Sequence, residues 1–244
     1  MTCQGKAALV TGAAGFGMGR SIALTLAREG ARVVVNYRAS EESARAIVAH
    51  IESRGGRAVS VQADVFTAEG CRKLVDAAAE EFGQVDICVV GPGAGWHPAP
   101  IHELDASAAL GDAHDELAPV YHLMPLVLPG MYQRKWGRFV ALALSPPFTS
   151  PSHPYNVAKA ARVQAVLLAA GEAWRSGVTL NCVGPGPVPA IGSFEEAVEQ
   201  CEHGPAWARR RSASPQDIAD GVAFLCSEAG RFITGCLLPY SFRE

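Results

Sequence analysis

A tyrosine and a lysine four residues apart, Tyr155 and Lys159, carry the clearest chemistry in this sequence. Residues at this spacing lie on one face of a helix, so the ammonium group can approach the phenol. A free tyrosine has a pKa of about 10 and exchanges its proton reluctantly near neutral pH, and a neighbouring positive charge stabilises the phenolate. The pair is predicted to exchange a proton with a substrate oxygen, with Lys159 lowering the pKa of Tyr155. The alternative is a retained structural pair.

A glycine-rich turn, "VTGAAGFGMGRSIA" at 10–23, links a short apolar run to a helical pattern. Glycines allow a tight turn and let backbone N–H groups come close to a pyrophosphate, and the positive end of the following helix favours its negative charge. The turn therefore predicts a nucleotide site.

The second apolar run ends in Asn36, Tyr37 and Arg38. A carboxylate at this point would hold the ribose 2′-hydroxyl of NAD, whereas an arginine accommodates the 2′-phosphate of NADP. The sequence therefore favours NADP(H) over NAD(H). The alternative is that Arg38 is an ordinary surface arginine.

Short apolar runs alternate with helical patterns along the chain, which predicts an α/β fold with a doubly wound parallel sheet covered on both faces. The predicted strands lie at 6–12, 31–37, 58–64, 85–90, 137–144, 177–183 and 235–240, and the helices between them at 19–30, 40–53, 68–82, 154–174 and 214–229. No linker interrupts the alternation, so residues 1–244 are expected to form one domain. The least regular regions, 91–112 and 184–212, follow strand ends, where such sheets bind ligands.

Composition argues against several other classes of protein. The net charge of −3 and the pI near 6.2 give no sign of a nucleic-acid or membrane surface. Seven scattered cysteines without a C-x-x-C motif suggest neither a disulfide framework nor a metal site, which fits the cytoplasm. No secretory signal and no apolar run of membrane-spanning length is expected.

Taken together, the ordered motifs resemble the short-chain dehydrogenase/reductases, most closely the 3-oxoacyl-carrier-protein-reductase-like members. The resemblance runs nearly end to end and implies a seven-stranded Rossmann-type sheet, NAD(P)(H) and usually a homotetramer. It is carried by "VTGAAG…GRSIA", "ARVVVNYRASEESA", "QADV", "VDI", "WGRFV", "PYNVAKAA", "VTLNCVGPG" and "SPQDIADGVAFLCSEAGRFITG".

The resemblance also implies roles for individual residues. Tyr155 is the acid/base, and Lys159 is its electrostatic partner and a contact of the nicotinamide ribose. The other implied cofactor contacts are Gly12, Gly15, Gly17, Met18 and Gly19 at the pyrophosphate, Asp64 and Val65 at adenine, Gly93 on the cofactor floor, and Pro185, Gly186 and Val188 beside the nicotinamide.

The sequence departs from the family pattern at four places. The glycine motif has one additional residue, and the family's N-N-A-G motif falls on 90–93, where both asparagines are missing. The asparagine of the family's proton relay falls on Glu116. The catalytic serine falls on Leu144, so the next residue, Ser145, is the candidate substitute donor.

The helix that the resemblance implies at 112–133 contains Pro119 and Pro125, which predict a kink or break. Within it, Glu116 is either a catalytic base or a solvated helix charge. Five histidines are also candidates for a substitute acid/base group: His97, His102, His114, His122 and His153. The alternative for each of them is an ordinary surface or hydrogen-bonding role.

The expected function is an NADP(H)-dependent oxidoreductase that interconverts a carbonyl and an alcohol on a partly hydrophobic small molecule. The alternatives are a non-redox isomerase, cyclase or dehydratase on the same fold, and a non-catalytic nucleotide-binding subunit. The segment 186–212 is expected to form a substrate lid, and the helices at 112–133 and 153–174 to pair across a homotetramer or homodimer interface. The apolar residues expected to face the substrate are Trp96, Val188, Ile191, Phe194 and Trp207.

Overall fold

A computed structural model describes residues 1–95, 100–144, 153–206, 210 and 212–240. Seven strands form one sheet in the order β3-β2-β1-β4-β5-β6-β7, and every neighbouring pair is parallel. The strands are β1 Ala7–Val10, β2 Arg32–Tyr37, β3 Ala58–Gln62, β4 Ile87–Val90, β5 Gly137–Leu142, β6 Val178–Pro185 and β7 Leu237–Tyr240. The predicted seven-stranded Rossmann-type sheet is confirmed.

Seven α-helices of the described residues flank the sheet. They are α1 Met18–Arg28, α2 Glu41–Ser53, α3 Ala68–Phe82, α4 Ala106–Arg134, α5 His153–Ala173, α6 Phe194–His203 and α7 Pro215–Cys226. Short 3-10 turns lie at Ile101–Glu103, Trp174–Ser176 and Glu228–Gly230. Among these residues no helix is both long enough and apolar enough to cross a membrane.

The strands are apolar on both faces because helices cover both faces. In β2, Val33 and Val35 join one core with α1, α2, α6 and α7, whereas Val34 joins the other core with α3, α4 and α5. All three side chains are fully buried. Each such burial is worth about 1.5–3 kcal/mol, so the alternating side chains of the central strands hold both helical layers to the sheet.

Helix α4 is continuous over 29 residues although it contains Pro119, Pro125 and Pro129. Of the expected kink or break, the break is therefore wrong. An interior proline costs about 3 kcal/mol through a lost hydrogen bond and a steric clash. Buried packing offsets that cost here, because α4 places a row of apolar side chains against the sheet and α5, including Leu123 and Val127.

Two helical segments lie in the regions expected to be irregular. Helix α4 begins at Ala106, where the Asp105 carboxylate accepts hydrogen bonds from the N–H groups of Ser107 and Ala108. Helix α6 begins after Ser193, whose hydroxyl accepts from the N–H of Glu196. Both starts are ordinary side-chain caps that satisfy free N–H groups.

Candidate active site

The glycine-rich turn lies at the carboxyl edge of the sheet, between β1 and α1. Gly12 has a φ of +62°, a conformation that suits glycine. Its N–H donates to the side-chain oxygen of Asn36 at the end of β2, at 2.9 Å. The Asn36 amide also donates to the carbonyls of Val61 and Ala63, so one buried side chain ties this turn to two neighbouring strands. Asn36 therefore has a structural role, because its amide group accepts from the turn and donates to the carbonyls at the end of β3.

The amino terminus of α1 has the features of an anion-binding site. Gly15, Phe16 and Gly17 are exposed, and no described side chain caps the helix at Gly17. The first turn, which includes Met18 and Gly19, contains no acidic residue. Uncapped N–H groups at the positive end of a helix attract phosphate, so the turn fits a dinucleotide pyrophosphate despite its additional residue.

Gly19 fixes the distance between α1 and the turn. A Cβ atom at this position would lie 2.5 Å from the carbonyl oxygen of Gly12 and 3.1 Å from Cα of Ala13. Only glycine allows this approach, which brings the helix terminus close to the strand end.

The predicted adenosine side follows β2 and β3 at the same edge. Arg38 is exposed, and its guanidinium carbon lies 6.0 Å from the ring centre of Phe66. Asp64 is half-buried and accepts a hydrogen bond from the Phe66 N–H, while Val65 is buried. The arrangement leaves the Arg38 side chain accessible to a phosphate.

Tyr155 and Lys159 lie together on the first turns of α5, as their spacing predicts. The Lys159 Nζ atom is 5.3 Å from the centre of the Tyr155 ring. Tyr155 is half-buried, whereas the Lys159 side chain is only 8% exposed. The ammonium group also contacts Oε1 of Glu116 at 2.8 Å.

The expected lowering of the pKa of Tyr155 is corrected by its surroundings. Burial raises the pKa of Tyr155 to about 12, and the Glu116 carboxylate adds to the rise, while the Arg162 guanidinium opposes it. Burial and the neighbouring Arg162 lower the pKa of Lys159, against the effect of Glu116. The carboxylate in contact with the Lys159 ammonium offsets its charge, so the phenol is the favoured form.

Glu116 is completely buried, so its interpretation as a solvated helix charge is wrong. Its Oε1 accepts a hydrogen bond from the Ala94 N–H at 2.8 Å in addition to the Lys159 contact. Its Oε2 lies 2.7 Å from Nε of Arg162. Because cations contact both oxygens, the geometry gives no support to Glu116 as a catalytic base.

Sequence reasoning missed Arg162, which is completely buried. Its Nε donates to the carbonyl of Glu116 at 2.8 Å, and Nη1 donates to the carbonyl of Leu142 at 3.0 Å and weakly to that of Gly91 at 3.5 Å. Nη2 donates to the carbonyl of Pro92. The available signal was an arginine three residues after Lys159, on the same face of an otherwise small and apolar helix.

The segment after β4, where the family's two asparagines are missing, has other supports. The hydroxyl of Thr11 accepts from the Gly91 N–H at 3.0 Å and donates to the Val89 carbonyl at 3.1 Å. Gly93 leaves room for Glu116, since a Cβ atom at Gly93 would lie 2.5 Å from the carboxyl carbon of Glu116. The segment expected to form the cofactor floor therefore lacks the family's asparagines and is held by other hydrogen bonds.

The predicted nicotinamide side follows β6. Pro185 is buried at the strand end, the Gly186 N–H donates to the Tyr240 carbonyl at 3.0 Å, and Val188 is half-buried. Ile191 is 4% exposed and packs in the core, which gives no support to the expectation that it lines a substrate cavity.

Phe194 also differs from the expectation for the lid. Its ring lies 5.9 Å from that of His50 on α2, edge to face, and 5.9 Å from the guanidinium carbon of Arg20 on α1. These contacts pack Phe194 and α6 against α1 and α2, so they give no support to the expected contact of Phe194 with a substrate.

The remaining sequence candidates divide into two groups. Ser145, His97, Trp96 and Trp207 lie outside the described residues. The four other candidate histidines give no proton-transfer arrangement in the described part of the chain: His102 and His114 are exposed beside their neighbours Glu103 and Asp115, His122 is half-buried, and His153 is exposed at the start of α5.

Comparisons with known proteins agree with this geometry. The family model described as enoyl-(acyl carrier protein) reductase matches residues 12–240. A 3-oxoacyl-[acyl-carrier-protein] reductase of Staphylococcus epidermidis is 31% identical over 239 residues, which cover 94% of this chain and 95% of that protein.

Two solved structures are similar over almost the whole chain. A 7α-hydroxysteroid dehydrogenase complexed with NADH and 7-oxo glycochenodeoxycholic acid has a TM-score of 0.85 and 28% identity, covering 98% of this chain and 94% of that one. A short-chain dehydrogenase from Burkholderia cenocepacia in complex with NADP has a TM-score of 0.82 and 28% identity, covering 99% and 98%.

Proposed function

Because the chain belongs to the short-chain dehydrogenase/reductase family, we propose that it is an NADP(H)-dependent oxidoreductase that interconverts a carbonyl and an alcohol on a partly hydrophobic small molecule. The observation that carries the proposal is the buried Lys159 ammonium beside the Tyr155 ring. The uncapped terminus of α1 supports the cofactor assignment.

When bound, the nicotinamide supplies a hydride to the carbonyl carbon or accepts one from the alcohol. Tyr155 donates the matching proton to the carbonyl oxygen. Its pKa of about 12 keeps the hydroxyl protonated near neutral pH, which is the form that reduction requires. Lys159 lies beside the phenol and provides the positive charge that eases departure of the proton. Ser145 is proposed as an additional hydrogen-bond donor to the same oxygen.

Turnover of NADPH with a panel of carbonyl compounds tests this function. The named relatives suggest a 3-oxoacyl thioester and an oxo-steroid as starting members, to which small aromatic ketones are added. Oxidation of NADPH together with formation of the alcohol supports the proposal. Tight NADPH binding without reduction of any carbonyl would favour the non-redox alternative, and absence of cofactor binding would favour a non-catalytic subunit.

The hydrophobic character of the substrate stays a prediction that rests on fewer residues than the sequence indicated. Val188 is half-buried beside the proposed nicotinamide position. Ile191 and Phe194 pack inward and do not support it. The carbonyl panel therefore contains polar as well as apolar members.

Replacement of Arg38 by alanine is expected to reduce the preference for NADPH over NADH. The exposed guanidinium is placed to pair with the 2′-phosphate, and a charge-assisted hydrogen bond of this kind is worth about 1.5–3 kcal/mol, roughly a ten- to hundredfold ratio of dissociation constants. Fluorescence titration with each cofactor measures the change. Arg45→Ala, an exposed arginine on α2 paired with Glu41, is the matched control. Equal affinities in the unaltered protein would contradict the assignment.

We also propose a homotetramer, with a homodimer as the smaller form. Helices α4 and α5 carry large apolar side chains that are more than half exposed: Leu110, Tyr121, Val157 and Leu168. Burial of such side chains against a second copy is favourable. Light scattering at micromolar concentration is expected to give the mass of four chains, and a monomer would refute the assembly.

A cytoplasmic location completes the proposal. All seven cysteines are free thiols, and six of them are buried. Unpaired thiols fit a reducing compartment. Fractionation of cells that express the tagged protein checks the location.

A further inference from the structure

One negative and two positive side chains lie together in a buried cluster beside Tyr155. Glu116 and Arg162 have no exposed side-chain surface, and Lys159 has 8%. The carboxylate contacts the ammonium at 2.8 Å and the guanidinium at 2.7 Å. Removal of three charges from water is strongly unfavourable, and well-packed apolar residues at such sites are often more stable. A cluster with so high a cost suggests a role beyond folding.

The guanidinium of Arg162 also joins three parts of the chain at the carboxyl edge. It donates to Leu142 at the end of β5, to Gly91 and Pro92 after β4, and to the carbonyl of Glu116 on α4. Its donors therefore point in several directions at once. A lysine, with a single nitrogen, cannot reproduce this set of bonds.

The opposite charges of Glu116 and Arg162 together determine the electrostatic environment of the Lys159 ammonium. With Glu116 alone beside it, the ammonium would be fully neutralised. With Arg162 alone beside it, two cations would be adjacent and Lys159 would lose its proton readily. Together the three groups carry a net charge of +1, the same as a lone lysine. Gly93 completes the arrangement because it leaves space for the carboxylate.

We propose that Arg162, with Glu116, is a positioning residue for the reaction: the pair sets the charge and the location of the Lys159 ammonium beside Tyr155. The proposal rests on the proposed function, in which Lys159 assists proton transfer by Tyr155. Arg162 acts without touching the substrate, because it is completely buried and contacts Glu116 and backbone carbonyls.

The described titratable and charged groups around Lys159 determine the expected pH dependence. They are Glu116 on α4, Tyr155 and Arg162 on α5, and Cys182 on β6, which lies near Arg162. Glu116 raises the pKa values of both Lys159 and Tyr155, and Arg162 lowers both. Loss of the carboxylate and loss of the guanidinium must therefore shift these groups in opposite directions.

The experiment compares Glu116→Gln, Arg162→Met and the double variant through the pH profile of NADPH-dependent carbonyl reduction. In the pH profile, the alkaline limb is the fall in activity as the pH rises. Glu116→Gln is expected to shift this limb to lower pH by about one to three units, and Arg162→Met to shift it to higher pH. Each single change should lower kcat near neutral pH by about a hundredfold, the effect of a small misplacement of a reacting group. The double variant restores the net charge of +1 and is expected to recover to within about tenfold of the original protein.

Two further variants separate charge from packing. Arg162→Lys keeps the positive charge but loses the several N–H donors of the guanidinium. It should therefore leave the alkaline limb at its original pH and lower the Tm. Arg138→Met removes another buried arginine, which stacks on Trp136 away from the site. It should lower the Tm without any shift of the limb. If a single variant does not fold, the double variant and Arg162→Lys carry the comparison.

An independent readout keeps this proposal distinct from the proposed function. Ultraviolet titration of the Tyr155 phenolate, with Tyr155→Phe subtracted, needs no turnover and should move to lower pH in Glu116→Gln. If this shift occurs in a protein that reduces no carbonyl, the effect of Glu116 and Arg162 on the charged groups is supported and only the proposed function is contradicted. The positioning role is overturned if both single variants shift the limb in one direction, or if the double variant is no better than the worse single variant.

Discussion

Replacement of Tyr155 by phenylalanine is expected to lower kcat for carbonyl reduction by about 10³-fold or more. The change removes the only proposed proton donor and keeps the ring beside Lys159. A positioned acid contributes about 10²–10⁴-fold, and the loss here should lie toward the upper end because the site is buried. Single-turnover measurement of NADPH oxidation, at saturating cofactor, isolates this step.

Tyr132→Phe is the matched control, since Tyr132 is a half-buried tyrosine on α4 outside the site. It should leave kcat unchanged.

The pH dependence of the unaltered enzyme should differ between carbonyl reduction and alcohol oxidation. Because the pKa of Tyr155 is raised to about 12, its protonated form persists through the neutral and moderately alkaline range, whereas alcohol oxidation, which needs the phenolate, should accelerate as the pH rises. Retention of more than a tenth of the activity by Tyr155→Phe would remove the tyrosine from the mechanism.

Replacement of Gly19 by alanine is expected to weaken NADPH binding by about a hundredfold or more and to lower the stability by about 1–3 kcal/mol, the usual cost of an inserted methyl group in a packed site. The new Cβ atom would meet backbone atoms of Gly12 and Ala13, which cannot rotate away. Helix α1 must therefore retreat from the turn and carry its N–H groups away from the phosphates. Isothermal titration and thermal unfolding measure the two effects.

Gly111→Ala provides the comparison within a helix. A Cβ atom at Gly111 on α4 meets nothing within 4 Å. Alanine is favoured over glycine in a helix by about 0.5–1 kcal/mol, so this variant should be slightly more stable and bind NADPH normally. Normal cofactor binding by Gly19→Ala would show that the turn does not contact the phosphates.

Most of the fold was predictable because the strands are continuous apolar runs bounded by glycine and polar residues. β2 was expected at 31–37 and lies at Arg32–Tyr37, and β5 was expected at 137–144 and lies at Gly137–Leu142. The remaining errors have local causes. Pro119 suggested a break in α4, but tertiary packing overrides the intrinsic cost of a proline. The ten residues of α6 have a mixed composition that did not stand out within a loop rich in glycine and proline.

The candidate site was only partly predictable, because its unusual feature depends on distances across the fold. Helical spacing sufficed to pair Tyr155 with Lys159. It could not show that Glu116, more than 40 residues earlier in the chain, lies between Lys159 and Arg162. The direction of the Tyr155 pKa shift could not be predicted for the same reason, because the burial that raises this pKa depends on the tertiary structure and not on the local motif.

The close fit of Gly93, Glu116 and Arg162 has a historical consequence. A side chain at Gly93 would collide with the carboxylate, and Arg162 without Glu116 would leave two neighbouring cations, Arg162 and Lys159, in the interior. The family's motif already has a glycine at the position of Gly93, so a lineage that passed from the family's asparagine to this arrangement had the space in place and is expected to have acquired the carboxylate before the guanidinium. Reversal is expected to run in the opposite order, because loss of Glu116 before Arg162 would leave two buried cations side by side, so a stepwise reconstruction of the ancestor should replace Arg162 first.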